Sequence, residues 1–368
     1  MPRLSRRSFV TSTVAAAAVH AAEFHSQWKP DLSRPWLGPE YWANPMQDWR
    51  IRKGRLECFI AGGDRNVFLL TREVNGSKGD FTMSVRLGRL EEDRQMLDAG
   101  FAGFRVGVKG EFKDYRDSAV HGVGMNAGIT SQGRLFIGQP EDGGVQAPLG
   151  DGVQLKLSAV PGDREYTLTL EALDSGGVRL ASVSKSVAGA RIEGGVALVC
   201  HSGETRGMSQ NRRNATRGGT MRFWFTDWTL AGTKVTEFAD RAFGPIYFAM
   251  HTLSRRVLKM TAQLAPLEAG THSAELQTKT GKEWKTVAKG EMDSLARTVT
   301  FRVSEWDDTK DTPYRVMFGQ HSWEGMVRKD PGDGRKLVIG ALTCCNDVGF
   351  PHQDLLKSVA HFKPDILF

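Results

Sequence analysis

From about residue 49 the chain alternates apolar and polar positions in short runs, separated by Gly-rich turns. "DWRIRKGRLECFIAG" reads as a short strand pair. "RNVFLLTREV" and "DFTMSVRLGRL" follow, joined through "NGSKG". Asn-Gly supplies the backbone freedom a tight hairpin needs. "AGFAGFRVGVK", "VGMNAGIT", "GRLFIG", "GVQLKLSAVPG", "EYTLTLEALDSGG", "VRLASVSKSV", "GGVALVCHS" and "TMRFWFTDWTLAG" continue the rhythm. Thr167, Thr169 and Glu171 alternate with Tyr166, Leu168 and Leu170, so one face of that strand meets water. Strands at this spacing call for a two-sheet sandwich closing near Gly232. Before them, "WKPDLSRPWLGPEYWANPMQDW" is irregular and rich in Trp and Pro.

A second alternating block runs from about Pro245 to Gly319, through "IYFAMHTL", "LKMTAQLAPL", "SAELQTK", "WKTVAKGEM", "RTVTFRVSEW" and "PYRVMFG". After "DPGDG" the pattern changes. "KLVIGALTCCND" is continuously apolar, as in a strand covered on both faces. "PHQDLLKSVAHF" has helical spacing at Leu355, Leu356, Val359 and Phe362, and "KPDILF" opens another apolar run. The order is β-α-β, which predicts the start of an α/β domain with strand 337–342 central to its sheet.

The fold class expected is therefore mostly β: a jelly-roll sandwich, a smaller sandwich, and the first β-α-β piece of an α/β domain. The divisions fall at 1–22, 23–235, 240–330 and 335–368. By strand rhythm and the "FWFTDWTLAG" ending, the first block resembles the concanavalin-like (laminin-G-like) jelly rolls. The second resembles immunoglobulin-like or fibronectin type III-like sandwiches in strand number and length.

Charge adds little. The net charge is +7, and Arg3, Arg6 and Arg7 supply three of those units. No Lys/Arg-rich helix appears, so nucleic acid is not an expected partner. Segment 1–22 carries "SRRSFV" and then the mildly apolar "TVAAAAVHAA", a signal peptide rather than a spanning helix. Adjacent Arg6 and Arg7 followed by Ser-Phe-Val resemble the twin-arginine export signal, although Thr11 departs from its usual Lys. That resemblance implies the twin-arginine machinery as a partner, a periplasmic or secreted location, and no transmembrane anchor.

The four cysteines do not form a disulfide framework. Cys58 and Cys200 sit in apolar, strand-like runs, either as two buried small hydrophobes or as one disulfide. Cys344 and Cys345 adjoin, a spacing that strains a mutual bond.

In open α/β sheets ligands sit beyond the carboxyl ends of the strands, and the first such end here is "TCCND". Read alone, it is a buried Cys pair with an Asn-Asp helix cap, or a thiolate and carboxylate that other strand ends complete into a metal site. The succession of signal, sandwich, small sandwich and "VIGALTCCND…PHQDLLKSVAHFKPDILF" resembles the alkaline phosphatase D (PhoD-like) metallophosphatases. The resemblance implies a phosphoric-ester hydrolase with two metal ions, iron and calcium among the family's suggestions. It implies Cys344 as a metal ligand, with Cys345 the alternative. Asn346, Asp347 and His352 lie near the same sheet edge, as metal or phosphate neighbours or, more plainly, as a surface cap and a helix N-terminal residue. The family's next motif, Gly-Asp with Tyr-Glu shortly after, would fall beyond Phe368. The expectation is thus an inactive N-terminal part of a larger enzyme.

The rival expectation is a non-catalytic exported protein that binds a polysaccharide or surface through its jelly roll. Arg212 and Arg213, in the basic run 206–219, and Trp36, one of four Trp before residue 50, are its candidate contacts. Solvated loop and packing strap are the plainer roles for these residues.

The export signal is testable directly. Replacing Arg6 and Arg7 together by Lys should block export of a fused reporter; undiminished export would reject the twin-arginine assignment.

Overall fold

The computed structural model describes residues 23–90, 100–140, 144–203, 220–332 and 336–368. Two antiparallel sheets pack face to face in the first unit. One sheet runs Arg179–Val187, Tyr166–Leu173, Val153–Pro161, Phe81–Arg89, Phe223–Ala231, Arg55–Cys58, Trp49–Arg52, with Phe24–His25 also on Phe223–Ala231. The other runs Val235–Glu237, Arg65–Val74, Gly194–Ser202, Gly100–Lys109, Val123–Thr130, Leu135–Gly138, with Tyr41–Asn44 also on Arg65–Val74.

Alternation explains the first sheet. Phe81, Met83, Val85 and Leu87 are buried, while Thr82, Ser84 and Arg86 between them are half-exposed. Leu157 lies opposite Leu170, and Ala159 opposite Leu168, on the same inner face. Each buried Leu contributes roughly 1.5–3 kcal/mol by leaving water. The wet face expected at Thr167, Thr169 and Glu171 is present.

The second sheet is covered on both faces. Every residue of Gly194–Ser202 is buried. A helix absent from the sequence reading, α1 (Tyr115–His121), lies on its outer face, where Ala119 packs with Phe68, Leu70, Val108 and Ala197. The Asp114 side chain caps it by accepting from the Arg116 backbone N–H at 2.8 Å. Close approach requires glycine at Gly195, where a Cβ would run into the Phe68 ring.

The second unit stacks a three-stranded sheet (Ile246–Ser254, Val257–Leu264, Thr298–Val303) on a four-stranded one (Glu283–Glu291, Ser273–Thr280, Thr312–Phe318, His321–Val327). Its core holds Leu258, Met260, Leu276, Phe301, Tyr314 and Val316. The connection between the two units is pinned rather than loose. The Phe243 backbone N–H donates to the Pro39 carbonyl at 2.8 Å, its ring stacks on Tyr247 at 4.8 Å, and Arg241 pairs with Glu73 at 2.8 Å. A small apolar cluster of Trp36, Ala265 and Leu267, with Tyr247 and Phe318 against it, seals the junction.

In the third unit, strands Ile339–Gly340 and Ile366–Leu367 pair in parallel, with helix α2 (Gln353–Phe362) between them in sequence. This is the β-α-β order read from the apolar runs. It differs in extent: the strands pair over two residues each, and segment 337–342 is not central to a sheet. A strand whose neighbours are few has little to hold its ladder. Leu337, Ile339, Ile366, Leu367 and Phe368 are 47, 58, 49, 51 and 72% exposed, an apolar surface with no covering layer among the described residues. The unit nonetheless docks. Arg328 pairs with Asp365 at 3.1 Å, Gln353 donates to the Asp114 carboxylate at 2.7 Å, and His121 Nε2 lies 2.9 Å from the Asp347 carbonyl oxygen. Among the described residues no helix is long and apolar enough to cross a membrane.

The separate cores predict separate responses. Phe301→Ala should weaken the second sandwich by about 3–5 kcal/mol. Calorimetry should show the transition of the first sandwich in place; a single shared transition shifted as one would contradict two cores.

The docking contact at Asp114 predicts a pH dependence. The Arg116 side chain, with help from its backbone N–H and from Gln353, holds this carboxyl down at about 2 against an ordinary 3.8. A depressed carboxyl stabilises the fold above its ordinary value and loses that contribution as pH falls. The α1 cap and the Gln353 contact should therefore loosen between about pH 4 and pH 2. Hydrogen exchange in α2 should rise across that window, and Asp114→Asn should flatten the rise.

Candidate functional site

Two places gather the chemistry-bearing residues. The first is the carboxyl end of strand Ile339–Gly340. Cys344 and Cys345 are both exposed free thiols, and Cys344 adopts the left-handed conformation with φ of 52°. The Thr343 hydroxyl donates to the Cys344 Sγ at 3.5 Å. Asn346 turns back on its own chain: its Oδ1 accepts from the Val348 backbone N–H at 3.0 Å, opening a short 3-10 turn that includes Asp347. His352 stands at the N-terminal boundary of α2, also left-handed with φ of 55°, and its ring lies over Gly349. Asn346 and Asp347 thus occupy a surface cap, and His352 a helix boundary.

These residues do not fit a two-metal centre by themselves. Among the described residues no three His, Cys, Asp or Glu side chains converge as a metal-binding group. Exposed ligands also have no protein wall to fix their geometry. No metal-dependent step can be assigned to the chain on this arrangement. The strand end offers one thiolate position, Cys344 or Cys345, and among the described residues no group of three His, Cys, Asp or Glu side chains gathers there.

The second place is a cleft of about 810 Å³ between the N-terminal strap, the first sandwich and the edge of the second. Trp36, Tyr41, Trp49, Phe59 and Tyr247 form its aromatic wall; Gln47 and Arg52 stand exposed at its lining. Of the two roles the sequence offers Trp36, sugar contact and packing strap, the structure shows packing. Trp36 is 6% exposed, held against Ala265 and Leu267, with the Arg34 guanidinium 4.7 Å from its ring centre. Arg34 also donates to the Trp36 carbonyl at 2.8 Å and approaches Glu268 at 3.6 Å. Burial lowers the Arg34 pKa, and the Glu268 charge opposes that shift. Arg50 sits over Phe59 at 4.6 Å and pairs with Glu57 at 2.7 Å. Burial pushes the Tyr247 hydroxyl up to about 12. Among the described residues, neither Trp49 Nε1 nor Tyr247 Oη meets a hydrogen-bond partner.

The cleft was not legible in the sequence. The Trp- and Pro-rich strap signalled packing, but Tyr247 and Pro266 arrive from the second sandwich, two hundred residues along the chain from the strap. A polar network on the outer face of the seven-stranded sheet was also missed. Arg105 pairs with Asp64 at 2.5 Å and donates to Asn126 at 2.8 Å; Asn66 joins Asp64 to Asn44, which accepts from Trp42 at 3.0 Å. Its members satisfy one another, which suits a structural clamp between that sheet and the strap. Arg6, Arg7, Arg212 and Arg213 lie outside the described residues.

No family model matches the chain, and no curated protein matches it. Solved structures to which the chain is similar include lectin domains. The carbohydrate recognition domain of Emp47p is 11% identical, with a TM-score of 0.31 over 53% of this chain and 89% of that one. The seed lectin of Lotus tetragonolobus is 11% identical, with a TM-score of 0.34 over 59% and 100%. Basic winged bean lectin with Tn-antigen is 11% identical, with a TM-score of 0.35 over 58% and 99%. At these identities and scores, what those proteins bind carries no argument for this chain.

Proposed function

We propose that the chain is the non-catalytic, scaffolding part of an exported PhoD-like phosphoric-ester hydrolase. Two sandwiches carry and hold the opening β-α-β unit of the hydrolase domain. The observation behind this reading is the docked parallel pair. A parallel connection through a helix is the building unit of an α/β sheet, and Cys344 stands at its carboxyl end, where such sheets place ligands. The exposed apolar side chains of both strands call for a further layer. In this reading Arg328, Asp114 and His121 fix the unit's orientation on the sandwiches, and Cys344 is one ligand of the metal centre.

A second reading is favoured by the cleft. Its half-exposed Phe59 and Tyr247, with Arg52 and Gln47 exposed, suit an acidic saccharide: sugar faces stack on aromatic rings, and a carboxylate pairs with guanidinium. Here the protein is an exported surface- or polysaccharide-binding protein. The two readings are compatible, since a scaffold can also anchor.

Expression together with the coding sequence that follows residue 368 tests the first reading. The chain alone should not hydrolyse phosphate monoesters or diesters, and the extended protein should. In the extended protein Cys344→Ser should lower metal content and turnover, and Cys345→Ser less so. Hydrolysis by the 368-residue chain would contradict the proposal. For the second reading, uronic-acid oligosaccharides should change tryptophan emission, and Arg52→Ala should weaken that binding by about tenfold. An unchanged affinity would remove the cleft from consideration.

A further inference from the structure

Cys58 ends the strand Arg55–Cys58 in the eight-stranded sheet, and Cys200 lies in Gly194–Ser202 in the seven-stranded one. Both belong to the main core, at 0 and 1% exposure. The chain leaves Cys58, crosses from one sheet to the other, and enters Arg65–Val74 at Arg65, directly opposite Cys200. The crossing is held tightly. Ser202 donates its backbone N–H to the Gly62 carbonyl at 3.0 Å, Phe59 donates to Asp48 at 3.0 Å, and Arg65 pairs with Asp48 at 2.7 Å. This corner brings the two sheets together: Arg65, the ladder partner of Cys200, pairs with Asp48, which precedes Trp49, the ladder partner of Cys58, so both cysteines lie in one buried cluster at the crossing and their thiols interact. The Cys58 thiol donates to the Ile60 carbonyl at 3.5 Å, and the charges of Arg65 and Asp48 also act on it.

We infer that Cys58 and Cys200 are a modification site: in an oxidising compartment they form one disulfide that ties the two sheets of the first sandwich together. The site is independent of the hydrolase reading. In this structure both are free thiols. Oxidation needs a disulfide-bearing oxidant, such as oxidised glutathione or a thiol oxidase. The thiolate of one cysteine attacks the oxidant's disulfide, forming a mixed disulfide and releasing one oxidant thiol. The second cysteine then attacks the first one's sulfur, forming the Cys58–Cys200 bond and releasing the second oxidant thiol. Two electrons and two protons pass from the protein pair to the oxidant.

Burial controls when this happens. A thiol must ionise to attack, and loss of solvent holds the Cys58 thiol well above its ordinary value. The closed core therefore protects the reduced pair, and the bond forms before the corner closes or when it opens. Once formed, it closes a long loop and lowers the entropy of the unfolded chain. Cys344 and Cys345, exposed and adjacent, share none of this protection.

The test uses the full chain carrying Cys344→Ser and Cys345→Ser, so that only the buried pair is counted. The protein is unfolded, refolded in a glutathione redox buffer, quenched with acid, and its thiols are titrated after denaturation. Both thiols should be lost, with a mass lower by two hydrogens and a linked peptide pair containing Cys58 and Cys200. The oxidised protein should melt at a higher temperature than the reduced one, and dithiothreitol should reverse the shift. The already folded, reduced protein in the same buffer should oxidise far more slowly. Two titratable thiols after refolding would overturn the inference. A linked pair that lowers the melting temperature would overturn it too, since the corner would then not have disulfide geometry. Cys200→Ser should leave the Cys58 thiol titratable; its loss in that variant would point to intermolecular linkage and reject the pairing.

Discussion

Trp228 is the packing contact around which the first sandwich closes. It is fully buried on the strand Phe223–Ala231, which pairs with Phe81–Arg89 on one side and with Arg55–Cys58 and Phe24–His25 on the other. Its ring meets Phe24 edge-on at 5.4 Å and Tyr41 at 6.1 Å. Those two residues belong to the strap before residue 49, so one side chain joins the middle of the sheet to the chain's irregular beginning. A buried aromatic of this size is worth about 3–5 kcal/mol against truncation. The strap then carries Trp36 out to the second sandwich, where Ala265 and Leu267 receive it. The cleft exists because the strap is anchored at Trp228 and again at Trp36, and spans the gap between.

The same economy governs the third unit. It has almost no core of its own, so its position depends on polar contacts reaching from the two sandwiches. Asp114 supplies one of them, accepting from Gln353 while it also caps α1. Arg328 serves the other side, donating to the carbonyls of Lys363 and Pro364 and pairing with Asp365. Such contacts orient strongly and stabilise weakly, because partly exposed ion pairs contribute only about 0–1 kcal/mol. A unit held this way is placed by its neighbours, while its own apolar strands stay open to further packing.

Chemistry in this chain is distributed unevenly. Around the cleft, Arg34 and Arg50 are fixed against Trp36 and Phe59, while Arg52 stands exposed. The thiols, amide and carboxylate near residue 344 are exposed and do not converge, so they form at most a fragment of a centre. The buried thiol pair at the sandwich corner lies apart from both. Its environment favours the neutral form, which suits a bond made during folding better than a reactive nucleophile.

Local pattern was enough for much of this. The alternation in "DFTMSVRLGRL" and "EYTLTLEALDSGG" fixes which side chains face inward, because the strand repeat leaves no other choice. The apolar run "KLVIGALTCC", the helical spacing from Leu355 to Phe362 and the turn before "DILF" dictate the β-α-β order in the same way. Helix α1 was hidden because its seven residues carry only one buried apolar side chain, Ala119, too few for a periodic signal. The double coverage of Gly194–Ser202 was hidden as well, since a fully buried strand has no alternation to read. Trp36 could be read as platform or packing strap because composition cannot say which surface a Trp meets. Only the tertiary structure places it between two sandwiches, brings Tyr247 to Trp49's cleft, and sets Cys58 against Cys200. Those meetings depend on contacts far apart in sequence, which no local periodicity encodes.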